Sequence, residues 1–97
     1  MKGFKINIDK ATIANSNFRE VLYTSNHSQL VLMSLQPREE IGIETHPDND
    51  QFFRIEAGHG RCVIDGSEYE ISAGDAIVIP AGARHNIINT HLFHRQT

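Results

Sequence analysis

The sequence predicts an all-β fold of the sandwich or barrel type. Short runs rich in β-branched and aromatic residues recur along its 97 residues, and such residues are enriched in strands. Turn signals separate these runs every ~8–12 residues, a spacing typical of sandwiches and barrels. No stretch has the apolar period of a long helix. We expect a single domain over residues 1–97.

The N-terminal third is expected to contain an edge strand and a hairpin. Alternating apolar residues predict an edge strand over 1–8. Residues 9–14 form either one helical turn capped by Asp9 or a loop. The runs 18–24 and 29–35, with a polar turn between them, predict a β-hairpin.

The rest of the chain is predicted to be a series of short strands. An extended segment at 42–46 is followed by strands at 51–55, 61–65, 68–71, 76–79 and 85–88. Asp65-Gly66 is the strongest hairpin signal in the chain. Five apolar residues are predicted to form the core: Phe53, Ile55, Ile64, Ile77 and Ile87. Phe52 and Arg54 should alternate outward, on a solvated face or at an interface.

Composition excludes several function classes. The net charge of −3, with scattered basic residues, gives no footprint for nucleic acid. No apolar run approaches the ~18 residues of a membrane span, and the N-terminus lacks a signal-peptide pattern. Cys62 is the single cysteine and cannot form an internal disulfide; we expect a small buried residue, not a nucleophile. These features are typical of a cytoplasmic protein.

Two polar clusters stand beside predicted strands. Glu44 and His46 are two residues apart and share one side of an extended segment. The turn residues 47–50 let the chain reverse and bring Gln51 back to that side. A second turn precedes His85. Two imidazoles, a carboxylate and an amide oxygen suit divalent Zn, Fe, Ni, Mn or Co, and not a soft thiolate metal.

Each of these residues also has a simpler interpretation. His46 and His85 could be ordinary turn or surface histidines, although together they favour metal binding. Glu44 could be a solvated carboxylate. Gln51 could cap the preceding turn with its amide, and amides ligate transition metals less often than carboxylates.

The two clusters resemble the two cupin motifs. In the second motif, Gly74, Pro80, Gly82, His85 and Asn89 have the family's spacing. The first motif is usually His-x-His, four residues, Glu, six residues and Gly. Here it has Glu44 for the first His and Gln51 for the Glu, with His46 and Gly58 at the expected spacing. The resemblance implies a double-stranded β-helix, the cupin jelly-roll barrel, with a metal held by Glu44, His46, Gln51 and His85.

The resemblance leaves several functions open. It implies a metal-dependent oxygenase, an isomerase-like enzyme or a decarboxylase acting on a small organic molecule. From the residues alone, Tyr23 is a guess for a proton donor, and core packing with its hydroxyl at the rim is the simpler interpretation. A non-catalytic module that binds a small ligand or metal, and a remnant without function, are the alternatives, because fold does not fix function.

The end of the chain departs from the resemblance. A cupin barrel usually continues with further strands, and residues 90–97 do not look like two strands. We therefore expect the barrel to be incomplete at the C-terminus, and a second copy of the chain to cover the exposed edge in a homodimer. His91 and His94 have the spacing of a metal pair on a helix, but a flexible tail is the simpler interpretation.

Overall fold

The structure, a computed structural model, describes residues 3–90. These residues fall into two compact units, one up to Ser34 and the other from Leu35 onward; that they form a single domain stays a prediction. The elements are α1 Ile8–Ala14, β1 Arg19–Thr24, β2 Gln29–Met33, β3 Glu44–Thr45, β4 Gln51–Arg54, β5 His59–Ile64, β6 Ser67–Ser72, β7 Ala76–Ile79 and β8 Arg84–Ile88. The expectations for His91, His94 and the C-terminal edge lie outside the described residues.

The N-terminal unit begins with a short helix where the sequence predicted an edge strand. The Lys10 backbone N–H donates to Asn7 Oδ1 at 3.0 Å, so Asn7, and not Asp9, caps α1. The prediction of a strand over 1–8 is wrong for residues 3–8: residues 3–7 form no strand, and Ile8 is the first residue of α1. The helical interpretation of residues 9–14 is confirmed.

The predicted hairpin is confirmed by the antiparallel pair β1–β2. Ser25 N–H donates to the Ser28 carbonyl at 2.8 Å across the turn. The Phe4 ring stacks on Tyr23 of β1, with ring centroids 5.2 Å apart. Within residues 3–90, none of the helical segments could span a lipid bilayer.

The second unit contains two antiparallel sheets, one in the order β3-β8-β5-β6 and one formed by β4 and β7. Asp65 and Gly66 both have positive φ, +47° and +86°, and connect β5 to β6 in a two-residue turn. Asp65 also holds the start of β8, because its Oδ1 accepts from the Arg84 N–H at 2.9 Å. The ladder between β5 and β8 includes His85, the histidine of the second motif, which pairs with Ile64.

The core of the second unit follows the predicted alternation. Ile87 is buried there, and Phe53, Ile55, Ile64 and Ile77 pack against the buried cluster, as predicted. Its other buried members are Cys62, Ile71, Ile79 and Ala83. Outward-facing Phe52 is 68% exposed.

Candidate metal centre

Three side chains from the two polar clusters converge in the second unit. Glu44, His46 and His85 each offer one ligand atom, and these atoms lie within 4.8 Å of one another. Glu44 Oε1 is 3.3 Å from His46 Nε2 and 3.9 Å from His85 Nε2. Two atoms that are each ~2.1 Å from one ion can be at most about 4.2 Å apart. Both separations from Glu44 Oε1 fall inside that limit, whereas the 4.8 Å bound that covers all three ligand atoms is wider than it.

Strand pairing explains this convergence. Glu44 of β3 lies directly opposite His85 of β8, and directly opposed residues project from the same face of a sheet. His46 follows two residues after Glu44 and therefore shares that face. The turn before β8 is fastened to this segment, because Gly82 N–H donates to the His46 carbonyl at 2.8 Å.

A hydrogen bond orients the His85 ring. Its Nδ1 lies 3.2 Å from the Ala83 carbonyl oxygen, which can only accept, so this bond requires the proton on Nδ1. In the neutral ring with this tautomer, Nε2 carries a lone pair facing the cluster, as in metal-binding histidines whose other nitrogen is held by a carbonyl. The His85 side chain is 1% exposed, and its Nε2 is buried without a hydrogen-bond partner among the described residues. A cation would satisfy both this lone pair and the Glu44 carboxylate.

The site is open on one side. The side chains of His46 and Glu44 are 38% and 42% exposed, in contrast to His85. A metal held by these three groups would have protein on one side and access for a small molecule on the other.

Gln51, the fourth predicted ligand, begins β4 in the other sheet, opposite buried Ile79. Its Oε1 is buried and has no hydrogen-bond partner in the part of the chain that the structure describes. Such atoms are rare in folded proteins, and each calls for an explanation. Coordination of a metal ion would explain this buried oxygen. Ligation by Gln51 therefore stays a prediction, which the unpartnered oxygen supports.

Three further residues that the sequence singled out are Cys62, Asn89 and Tyr23. Burial raises the pKa of the Cys62 thiol, which disfavours the thiolate that nucleophiles and metal ligands need. Asn89 Nδ2 donates to the Leu35 carbonyl at 2.9 Å, so this side chain serves the backbone. Tyr23 lies in the N-terminal unit, and its role as a proton donor stays a prediction.

Sequence reasoning missed Asn86, the neighbour of His85. Asn86 is 8% exposed, and its Oδ1 accepts from the Gly42 N–H at 2.9 Å. Its Nδ2 donates to Glu40 Oε1, also at 2.9 Å. The available signal was Gly42 itself, because an isolated glycine in a strand pattern suggests a bulge.

Comparisons with known proteins identify the family. A family model for the cupin domain matches residues 31–92. The uncharacterized protein YrkC of Bacillus subtilis is 45% identical over 95 aligned positions, and the match covers 92% of this chain and 51% of YrkC. The chain thus spans about half the length of the curated relatives it matches.

Solved structures agree with this result. The crystal structure of BH2720 from Bacillus halodurans is 39% identical, has a TM-score of 0.91, and is matched over 98% of this chain and 74% of that one. A predicted oxalate decarboxylase from Thermotoga maritima is 31% identical, with a TM-score of 0.58 over 60% of this chain and 50% of that one. The prediction of a mostly β, jelly-roll fold is confirmed. On the family match and these relatives, the chain belongs to the cupin family.

Proposed function

We propose that the protein binds one divalent transition-metal ion through Glu44, His46 and His85, with Gln51 as a fourth ligand, and that the ion binds a small anionic organic molecule. The observation that carries the proposal is the convergence of three ligand atoms within 4.8 Å around the buried lone pair of His85. Members of the family commonly bind metals and often bind small ligands.

Charge favours an anionic ligand. The Glu44 carboxylate neutralises one of the two charges of a divalent ion, and the neutral imidazoles and the Gln51 amide add none. The loaded centre therefore keeps one positive charge beside half-exposed side chains. Small carboxylates, which offer one or two anionic oxygens, fit this charge and the hard or borderline character of the metals that the site suits.

A metal centre of this kind could support two kinds of chemistry. A bound ion could act as a Lewis acid or bind oxygen, as in the oxygenase and isomerase-like activities that the family resemblance implies. The likeness to a predicted oxalate decarboxylase makes oxalate the first molecule to test, both as a ligand and as a substrate. Tight binding of oxalate without its consumption would favour the alternative, a non-catalytic binding module.

Metal analysis tests the proposal directly. Protein purified without added metal is analysed by mass spectrometry, stripped with a chelator, and titrated with Co²⁺ while the visible absorption bands of the bound ion are recorded. We expect one ion per chain. His46→Ala, His85→Ala and Glu44→Ala should each weaken binding by more than the roughly 10–100-fold that loss of an outer-shell partner costs.

His27→Ala is the matched control, because this exposed histidine lies in the β1–β2 turn of the other unit. Its Co²⁺ affinity should equal that of the unmodified protein. Undiminished affinity in both His46→Ala and His85→Ala would refute the proposed site. The metal-loaded protein is then titrated with oxalate, which should bind only when the ion is present.

A further inference from the structure

We propose that Asn86 is a positioning residue for the metal centre: its side chain holds a β-bulge at Gly42, and the bulge directs Glu44 toward His46 and His85. This inference rests on the proposed function, since it assigns Glu44 to the metal. It adds a residue that supplies no ligand atom but sets where one ligand points.

The pairing of residues 40–45 with β8 changes register once. Glu40 bridges to Ile88, whereas Glu44 pairs with His85. Three residues, 41 to 43, lie between the pairs on one side, and two residues, 86 and 87, lie between them on the other. The first side therefore contains one extra residue, which defines a β-bulge.

The extra residue determines which side chain faces the histidines. If the Glu40–Ile88 register continued without a bulge, Ile43 would lie opposite His85, and Glu44 would point to the opposite face of the sheet. With the bulge, Ile43 is 61% exposed and Glu44 Oε1 lies 3.9 Å from His85 Nε2. The carboxylate can join the cluster only because of this one-residue offset.

Asn86 supplies the hydrogen bonds that this bulge needs. The regular ladder extends to Ile41, whose N–H donates to the Ile87 carbonyl at 2.9 Å. The N–H of the following residue, Gly42, donates to the Asn86 side chain at 2.9 Å. Nδ2 of the same amide donates to Glu40 Oε1, so one buried side chain binds the Glu40 carboxylate before the bulge and the Gly42 N–H within it.

Backbone conformation points to the same place. Gly42 has φ of +100°, which residues with a side chain rarely adopt. A Cβ built on Gly42 meets no atom within 4 Å, so a substitution there would act through the backbone and not through a steric clash. Gly42→Ala therefore perturbs the bulge by a second route that leaves Asn86 in place.

Co²⁺ titration of Asn86→Ala tests the proposal. We expect metal affinity to fall by about 10–100-fold, the range measured for residues that orient a ligand, and Gly42→Ala to weaken binding in the same direction. Asn89→Ala is the matched control: Asn89 also follows His85, and its amide also makes a 2.9 Å bond to the backbone, but that bond goes to Leu35 and not to the bulge. It should leave affinity nearly unchanged.

A double-mutant cycle separates positioning from general loss of stability. If Asn86 acts through Glu44, Asn86→Ala should cause no further loss of affinity in a Glu44→Ala background, whereas independent effects would add. Additive losses, unchanged affinity in Asn86→Ala and Gly42→Ala, or an equal loss in Asn89→Ala would each overturn the proposal.

Crystal structures of the metal-free variants give a readout that does not depend on metal binding. In Asn86→Ala, Glu44 Oε1 should move beyond its 3.9 Å separation from His85 Nε2; Gly42→Ala provides the same test if Asn86→Ala does not fold. A protein that binds no metal would refute the proposed function, while the position of Glu44 would still decide the role of Asn86. An unmoved Glu44 carboxylate in both variants would refute that role.

Discussion

Replacement of Gln51 by leucine should stabilise the metal-free protein. Gln51 Oε1 is buried without a hydrogen-bond partner in the described part of the chain, and an unsatisfied buried polar group costs about 1–3 kcal/mol. Leucine has a similar volume and removes this acceptor beside buried Ile79. Taking the lower end of the range, we expect Gln51→Leu to raise the free energy of unfolding by about 1 kcal/mol and Tm by about 4–8 °C.

The same substitution should weaken stabilisation by metal. At a metal concentration of about 100 times Kd, binding stabilises the native state by about 2.7 kcal/mol. If loss of the amide ligand raises Kd about tenfold, the gain at that concentration falls to about 1.4 kcal/mol. Gln51→Leu should therefore be more stable than the unmodified protein without metal, and should gain about half as much free energy when metal is added.

Thermal and urea unfolding with chelator and with Co²⁺ measure both effects. Gln51→Glu is the control, because it restores the carboxylate usual at this position and should retain metal binding. If Gln51 instead caps the turn at 47–50, Gln51→Leu will destabilise the metal-free protein and leave the increment from metal unchanged. That result would refute its assignment as a ligand.

Three further predictions concern packing, ionisation and assembly. Gly60→Ala should lower the free energy of unfolding, measured with urea, by about 1–3 kcal/mol. The new Cβ would overlap the Ile88 carbonyl oxygen and lie 3.3 Å from the carbonyl carbon. Gly3→Ala is the control, because a Cβ there meets no atom within 4 Å. Burial raises the pKa of the Cys62 thiol in the folded state, so its contribution to stability is intact below the unfolded thiol's pKa of about 8.5 and is lost as pH rises above it. The stability difference between the unmodified protein and Cys62→Ala should accordingly shrink between neutral and alkaline pH, and a constant difference would contradict this. Size-exclusion chromatography with light scattering should give the mass of a homodimer, and the mass of a monomer would refute the predicted homodimer.

The strands were predictable because their signals are local. The β5–β6 turn follows from Asp65-Gly66, whose positive φ angles suit that pair of residues. The N-terminal strand prediction failed because alternation of apolar residues over 1–8 competed with a local cap. Asn7 satisfies a backbone N–H of the first helical turn, and this bond depends on one side chain rather than on any periodic pattern.

The candidate site was predictable in part. Glu44 and His46 share a face by their spacing alone, and their 3.3 Å contact agrees with that. The approach of His85 depends on the pairing of two strands that are about 40 residues apart in sequence. The sequence predicts this pairing only through its resemblance to the cupin motifs. Gly42 is a sequence signal for a bulge, but its hydrogen bond to Asn86 was not predictable, because the two residues are distant in the chain.

The position of the carboxylate explains why a bulge matters here. The usual first motif has its carboxylate where this chain has Gln51, at the start of β4, while Glu44 lies in β3 opposite His85. Compared with the usual motif, this chain keeps one negative charge but has it on β3, where the strand register changes two residues before Glu44, at Gly42. A carboxylate on β4 would not depend on that register, whereas Glu44 faces the histidines only while the bulge persists. The double substitution Glu44→His and Gln51→Glu places the carboxylate on β4. In that variant, the position of the carboxylate ligand should therefore no longer depend on Asn86.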